Sequence, residues 1–253
     1  MIKQKKALMV QRDALDDFVR FLLPRLPRDC VALKGGYVLG SVINQPARYT
    51  ADVDLTILQG IEYGDIKPLL AEYGERIKAA GKSCGYEIKE DMIVGQRSGG
   101  AVYYGERESD LLMSVDISGS EIEFDTIKIN LPDLGEVTVT SPEQVLSDKL
   151  AVLFSKKRFR RVKDLIDVHS IITGDVEIDM DRLQACLERR GIWPLPADKY
   201  PFSEDRLVQL EHAYDMFVRQ SIDGRPIEKL DFKELVSGVS GILARLLDTE
   251  VLD

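Results

Sequence analysis

Apolar positions recur at helical spacing over residues 8–27, where Leu15, Phe18, Val19 and Leu22 share a face and Pro24 and Pro27 close the run. A short apolar stretch, Cys30 to Leu33, then predicts a strand. Gly35 and Gly36 separate it from a short helix expected over Tyr37 to Asn44. Val53 to Leu58 reads as a second strand, and residues 65–82 as an amphipathic helix with Pro68 in its first turn. From Tyr86 to Val139 the pattern changes to short alternating runs. YEIKE, GAVYYGE, LLMSVDIS, TIKINL and EVTVT predict strands and hairpins of one mixed sheet.

Beyond that point the spacing is helical. Ser141-Pro142-Glu143 is a helix start, with a hydroxyl to cap the free amides and proline in the first turn. That helix is expected to run to about Phe154, and a second from Val162 to Ile172, before Gly174. Further helices are expected near 179–190, 203–220 and 227–248, with a proline-rich connection from Gly191 to Pro201. No repeat or low-complexity tract interrupts the pattern. The expected class is α+β: a sheet domain over residues 1–140 and a helical domain over 141–253.

Alternation also sorts the polar residues. In ADVDLTIL, Asp52, Asp54 and Thr56 share one strand face, and Val53, Leu55 and Ile57 share the other. Two carboxylates so placed either shift their protonation or bind a cation. The bland alternative is an exposed acidic strand edge. LLMSVDIS repeats the arrangement, with Ser114, Asp116 and Ser118 on one face. Carboxylates are depleted in strands, so Asp116 is conspicuous, though a solvent-facing position also accounts for it. If the two strands are neighbours, three carboxylates gather. Such a set can hold two magnesium ions, which clamp the attacking and leaving oxygens of a phosphoryl transfer. Gly35 and Gly36 would let the backbone approach a triphosphate closely, and the helix after them offers free N–H groups. The pair is not a Walker A loop, because no GxxxxGK[ST] occurs.

Charge refines this picture. The net charge of −9 argues against broad, sequence-blind nucleic-acid binding. One run departs from it: KKRFRRVK, Lys156 to Lys163, is rich in basic residues and holds no acid. It is either a solvated helix end or a phosphate-contacting patch. Cys30, Cys84 and Cys186 form no CxxC pair and are expected as reduced thiols in a cytoplasm. His169 and His212 have no Cys or His partner nearby, which argues against structural zinc. No membrane span and no secretory signal are expected.

Lys34-Gly35-Gly36, followed by Arg48-x-Thr50-x-Asp52-x-Asp54, resembles the first motif of the AbiEii-type nucleotidyltransferases, within the DNA polymerase β-like superfamily. That family includes toxins of type IV toxin–antitoxin and abortive-infection systems. Val115-Asp116-Ile117 resembles its later acidic strand. Ser141-Pro142-Glu143 to Lys149-Leu150-Ala151 resembles its lysine-bearing helix, and Arg160 to Asp167 its basic motif with two aspartates. The likeness covers roughly residues 30–172.

The resemblance implies a polymerase β-like mixed sheet with flanking helices. It implies that Asp52, Asp54 and Asp116 bind Mg2+, and that Lys34, Gly35, Gly36, Arg48, Thr50 and Lys149 hold the nucleotide. Lys149, Asp164 and Asp167 would join the three metal-binding aspartates in the catalytic set. Lys156, Lys157, Arg158, Arg160, Arg161 and Lys163 would meet a nucleic acid. The implied activity moves a nucleoside monophosphate from an NTP to an acceptor, RNA and the tRNA 3′ end above all, in a toxin with a cognate antitoxin. A small-molecule acceptor, or a non-catalytic binding module on the same fold, are the alternatives. Two positions depart from the family. Tyr37 stands where a small residue or threonine is common, and is expected to narrow the pocket. Lys163 replaces an arginine and loses its bidentate geometry.

Overall fold

The structure, a computed structural model, describes residues 13–42, 52–79, 86–91, 97–103, 111–119, 123–155, 162–196, 200–222 and 230–249. Their internal contacts divide them into two compact units, one within residues 1–38 and 50–140, the other within 39–49 and 141–253.

The first unit is built on a seven-stranded mixed sheet. Its strands are β1 (Val31–Lys34), β2 (Asp52–Ile57), β3 (Tyr86–Asp91), β4 (Arg97–Tyr103), β5 (Leu111–Ser118), β6 (Thr126–Leu131) and β7 (Gly135–Thr140), in the order β3-β4-β5-β2-β1-β7-β6. β2 runs parallel to β5, and β1 parallel to β7; the other neighbours are antiparallel. The three strands carrying the residues of interest, β5, β2 and β1, are therefore interior, where pairing on both sides holds register.

Two helices and the first half of a third belong with this sheet. The first, α1, is described over residues 13–22 and passes into a 3-10 turn at Leu23–Arg25, so the proline-closed run ends as a tighter helix. Helix α2 (Gly35–Val42) takes the two glycines into its first turn, where a loop was expected before Tyr37. Helix α3 (Tyr63–Ala79) starts two residues before the expected point, so Pro68 lies in its second turn, and the Gly64 carbonyl loses its helical donor. Ile66, Leu70, Tyr73 and Ile77 form the buried stripe of α3. The Tyr73 ring meets Phe18 edge-on at 5.0 Å, and its hydroxyl donates to Asp17 Oδ2 at 3.1 Å. Tyr37 is also buried, and its hydroxyl donates to Asp16 Oδ1 at 2.8 Å. The expectation that Tyr37 narrows a pocket is therefore corrected: its ring is packed into the fold and tied to α1.

The second unit holds α4 (Pro142–Leu153), α5 (Val162–Thr173), α6 (Met180–Arg189), α7 (Glu204–Ile222) and α8 (Phe232–Thr249). Ser141 caps α4 as its sequence predicts, accepting from the Gln144 amide at 3.0 Å, with Pro142 at the first helical position. Apolar stripes such as Leu146, Leu150 and Leu153 of α4, Leu165, Val168 and Ile171 of α5, and Leu235, Val239 and Leu243 of α8 form its core. Leu39 joins that core, so the segment after the glycines is partitioned with the helices, where the sequence placed everything before residue 141 in the sheet domain. Cys30 and Cys186 are buried and not joined in a disulfide, and burial pushes the Cys30 thiol up, which keeps it protonated; Cys84 lies outside the described residues. Among the described residues no helix is long and apolar enough to cross a membrane.

Candidate active site

Strand β2 is anchored by Val53 and Leu55, both fully buried, which commits Asp52 and Asp54 to the opposite face, where both are half-buried. Thr56, on that same face, is fully buried, and its hydroxyl donates to the Ser118 carbonyl at 3.3 Å. Among the described side chains of β5, Val115 and Ile117 are buried, while Asp116 is exposed and Ser118 half-buried. The parallel register sets Asp54 beside Asp116, Asp52 beside Ser114 and Thr56 beside Ser118. On the other side of β2, the antiparallel register sets Lys34 beside Asp54. Asp54 is thus flanked by a lysine and an aspartate from its two neighbouring strands.

Two carboxylates at paired positions on adjacent strands repel one another. A cation between them removes that penalty. Among the described residues no group of three His, Cys, Asp or Glu side chains is drawn together; the register sets Asp54 beside Asp116, with Asp52 two positions back on the same face. Such a pair still suits magnesium. This ion takes hard oxygens, is commonly bound by one or two carboxylates, and completes its octahedron with water and substrate phosphates.

Gly35 explains itself against Asp54. Its φ is +68°, and a Cβ built on it would stand 2.0 Å from Asp54 Oδ2 and 2.9 Å from Asp54 Cγ. The sequence suggested that a bare backbone here admits a phosphate. The close approach observed is made by the protein's own carboxylate, at the start of α2, where the helix dipole favours negative charge.

Lys34, the last residue of β1, donates from Nζ to Ser118 Oγ at 2.6 Å and stands 5.6 Å from the centre of the Phe124 ring. Neither Ser118 nor Phe124 was assigned a role from sequence. The signal for Ser118 was available, since alternation puts it on the face of Asp116; Phe124 precedes β6 with no pattern to mark it.

The helical unit carries a separate polar cluster. Lys149 of α4 donates to Asp164 Oδ1 at 3.1 Å and meets Asp167 Oδ2 at 2.7 Å. Their side chains are 10%, 6% and 2% exposed, in that order, so the two carboxylates are buried and do not sit on a solvated face. Lys149 was expected to offset nucleotide charge; here its ammonium is held by two buried carboxylates one helical turn apart. Lys163, in the first turn of α5, is half-exposed. Arg48, Thr50, Lys156, Lys157, Arg158, Arg160 and Arg161 lie outside the described residues.

Known proteins agree with this architecture. A putative nucleotidyltransferase from H. pylori superimposes with a TM-score of 0.58 at 17% identity, covering 97% of this chain and 97% of its own. JHP933 from Helicobacter pylori does so with a TM-score of 0.54 at 16% identity, covering 96% and 94%. At such identities the likeness shows the fold alone. No curated protein matches the sequence. The family model described as the nucleotidyl transferase AbiEii toxin of type IV toxin–antitoxin systems matches residues 19–237, a span that contains both carboxylate strands, the glycine turn and the buried lysine cluster. With most of its length inside that match, the chain belongs to the AbiEii family and is a nucleotidyltransferase.

Proposed function

We propose that the chain transfers a nucleoside monophosphate from an NTP to an RNA acceptor, the tRNA 3′ end in particular, with Mg2+, and acts as a growth-inhibiting toxin in the cytoplasm. The observation that carries this reading is the placement of Lys34, Asp54 and Asp116 side by side on three adjacent strands, with Gly35 opening the space for Asp54. Asp54 and Asp116, with Asp52 alongside, would hold the ion. When bound, it would supply charge neutralisation at the transferring phosphoryl group and orient its oxygens. The chain's own part is electrostatic: Lys34 brings positive charge beside Asp54. Gly35, Gly36, Arg48 and Thr50 are assigned to the nucleotide by family resemblance. Lys149, Asp164 and Asp167 belong to the catalytic set on the same ground. The family implies a nucleotide substrate and an antitoxin partner.

The test is incubation with labelled NTPs, magnesium and total RNA, followed by sizing of the labelled products. Label on RNA of tRNA length is expected. Asp54→Asn is expected to lower the rate by at least about a hundredfold, because removal of metal-mediated charge stabilisation costs several kcal/mol. Thermal melts should show that the variant remains folded, since Asp54 lies opposite the buried face of β2. Label only on small hydroxylated compounds would replace the RNA acceptor with a small molecule. No transfer under any condition would favour a binding module.

The basic run reports on the acceptor separately. If Lys156, Arg158 and Arg160 contact RNA phosphates, changing all three to Gln is expected to weaken RNA binding. It should also flatten the salt dependence by roughly 0.7–0.9 of a log unit per lost contact. NTP binding should change less. Binding titrations at several salt concentrations measure both; an unchanged slope would return the run to a solvated helix end.

A further inference from the structure

We propose that Ser118 is a positioning residue for the nucleotide site: its hydroxyl holds the Lys34 ammonium across β2, where the charge meets the triphosphate. The proposal rests on the nucleotidyltransferase reading above and goes beyond it by assigning a role to a residue outside every family motif quoted. Its basis is a chain of contacts within the sheet. Lys34 starts on β1, directly beside Asp54, yet its Nζ donates to Ser118 Oγ on β5 at 2.6 Å. Two inter-strand gaps of about 4.8 Å separate those strands, so the side chain must extend across the face of β2 that carries Asp54 and Thr56. The Ser118 hydroxyl in turn donates to the Leu55 carbonyl at 3.4 Å, and the Ser118 carbonyl accepts from Thr56 Oγ1 at 3.3 Å. Ser118 is therefore locked to β2 by both its side chain and its backbone. It offers Lys34 an oxygen whose place is set by the same register that sets Asp54 beside Asp116.

This matters because a lysine ammonium is a point charge on a flexible four-carbon stem. With several carboxylates on one sheet face, an unanchored ammonium has many alternative resting places, and a triphosphate arriving there meets net negative charge. The hydroxyl is neutral, so it fixes the ammonium without cancelling its charge. The Phe124 ring, 5.6 Å from Nζ, borders the same position and favours a cation there.

Four proteins test this: Ser118→Val, Ser118→Thr, Lys34→Met and the Lys34→Met/Ser118→Val double variant. Val and Thr have nearly the same shape and both suit a strand, so they differ chiefly in the hydroxyl. Melting curves establish that each is folded. The measured quantities are the affinity for a non-hydrolysable NTP analogue with Mg2+, displacement of that analogue by inorganic tripolyphosphate, and KM and kcat of transfer. Loss of a hydrogen bond to a charged group predicts about tenfold weaker binding of both analogue and tripolyphosphate in Ser118→Val. KM should rise to match, kcat should stay within about twofold of the parent, and Ser118→Thr should restore binding. The double variant should be no weaker than Lys34→Met alone, because the hydroxyl acts only through the lysine. A merely structural serine predicts additive losses and a lowered kcat, and that result would overturn the proposal. So would unchanged affinity in a folded Ser118→Val, while leaving the transferase reading intact. Absence of any analogue binding by the parent protein would instead overturn the reading of the site, and the proposal with it.

Discussion

Gly35→Ala is expected to abolish nucleotide transfer, whereas Gly60→Ala is expected to leave it near the parent level. Both glycines have a positive φ, +68° and +75°, so an alanine at either pays a similar backbone strain of about 1–2 kcal/mol. They differ in what the new methyl group meets. At Gly60 nothing lies within 4 Å. At Gly35 the methyl carbon would stand 2.0 Å from Asp54 Oδ2, 2.9 Å from its Cγ and 3.3 Å from its Cβ. The contacts at 2.0 Å and 2.9 Å cannot stand, so the Asp54 carboxylate must move from its place, while the 3.3 Å contact with Cβ asks for only a few tenths of an ångström. The comparison therefore separates strain, common to both variants, from displacement of the carboxylate, peculiar to one. Melting temperature and transfer rate are measured together. Equal rates in the two variants would mean that Asp54 is not required where it stands.

The largest stability effect is expected at Lys149. Lys149→Met removes the ammonium that bridges Asp164 and Asp167, two buried carboxylates one helical turn apart. Breaking a buried ion pair from one side costs about 3–5 kcal/mol, because the remaining charge is left without compensation. The loss should be visible in urea unfolding as a lower midpoint with an unchanged slope. Replacing the whole cluster tests the cause. Lys149→Met combined with Asp164→Asn and Asp167→Asn removes the two carboxylate charges as well, and is expected to regain a large part of the lost stability while staying inactive. If the triple variant is as unstable as Lys149→Met, shape rather than charge governs the site.

The elements of this fold were legible wherever one local period was enough. Val53 and Leu55, alternating with Asp52 and Asp54, announced both β2 and its carboxylate face, and Ser141-Pro142 announced the start of α4 within a residue. The link between β2 and β5 was legible only as a condition, because alternation tells which side a residue faces and not which strand lies next to it. Gly35 shows a different limit. Its sequence context signals that a side chain is unwelcome, but the neighbour that makes it so, Asp54, is nineteen residues away, across segment 43–51. Lys149 met the same obstacle: which charges pair across α4 and α5 depends on how two helices pack, and each helix's own spacing is silent about that. Ser118 was visible as a face-mate of Asp116 but had no visible reason, since the lysine it holds lies 84 positions earlier. In each case the residue type was a clue, and its meaning came from a partner brought near only by the folded chain.

The in-register contact between β2 and β5 has a consequence for genetics. The spacing of Asp54 from Asp116 is set from behind, by Val53, Leu55, Val115 and Ile117, which are wholly or almost wholly buried on the opposite face of the sheet. A substitution there that shifts one strand against the other would disarm the enzyme without touching any residue that meets nucleotide. A random-mutagenesis selection for inactive alleles should therefore return two classes, one at the acidic positions and one at these hidden apolar positions. The second class should yield to suppressors. An enlarging change opposite a shrinking one can restore the strand's place, whereas no change elsewhere can replace a missing carboxylate.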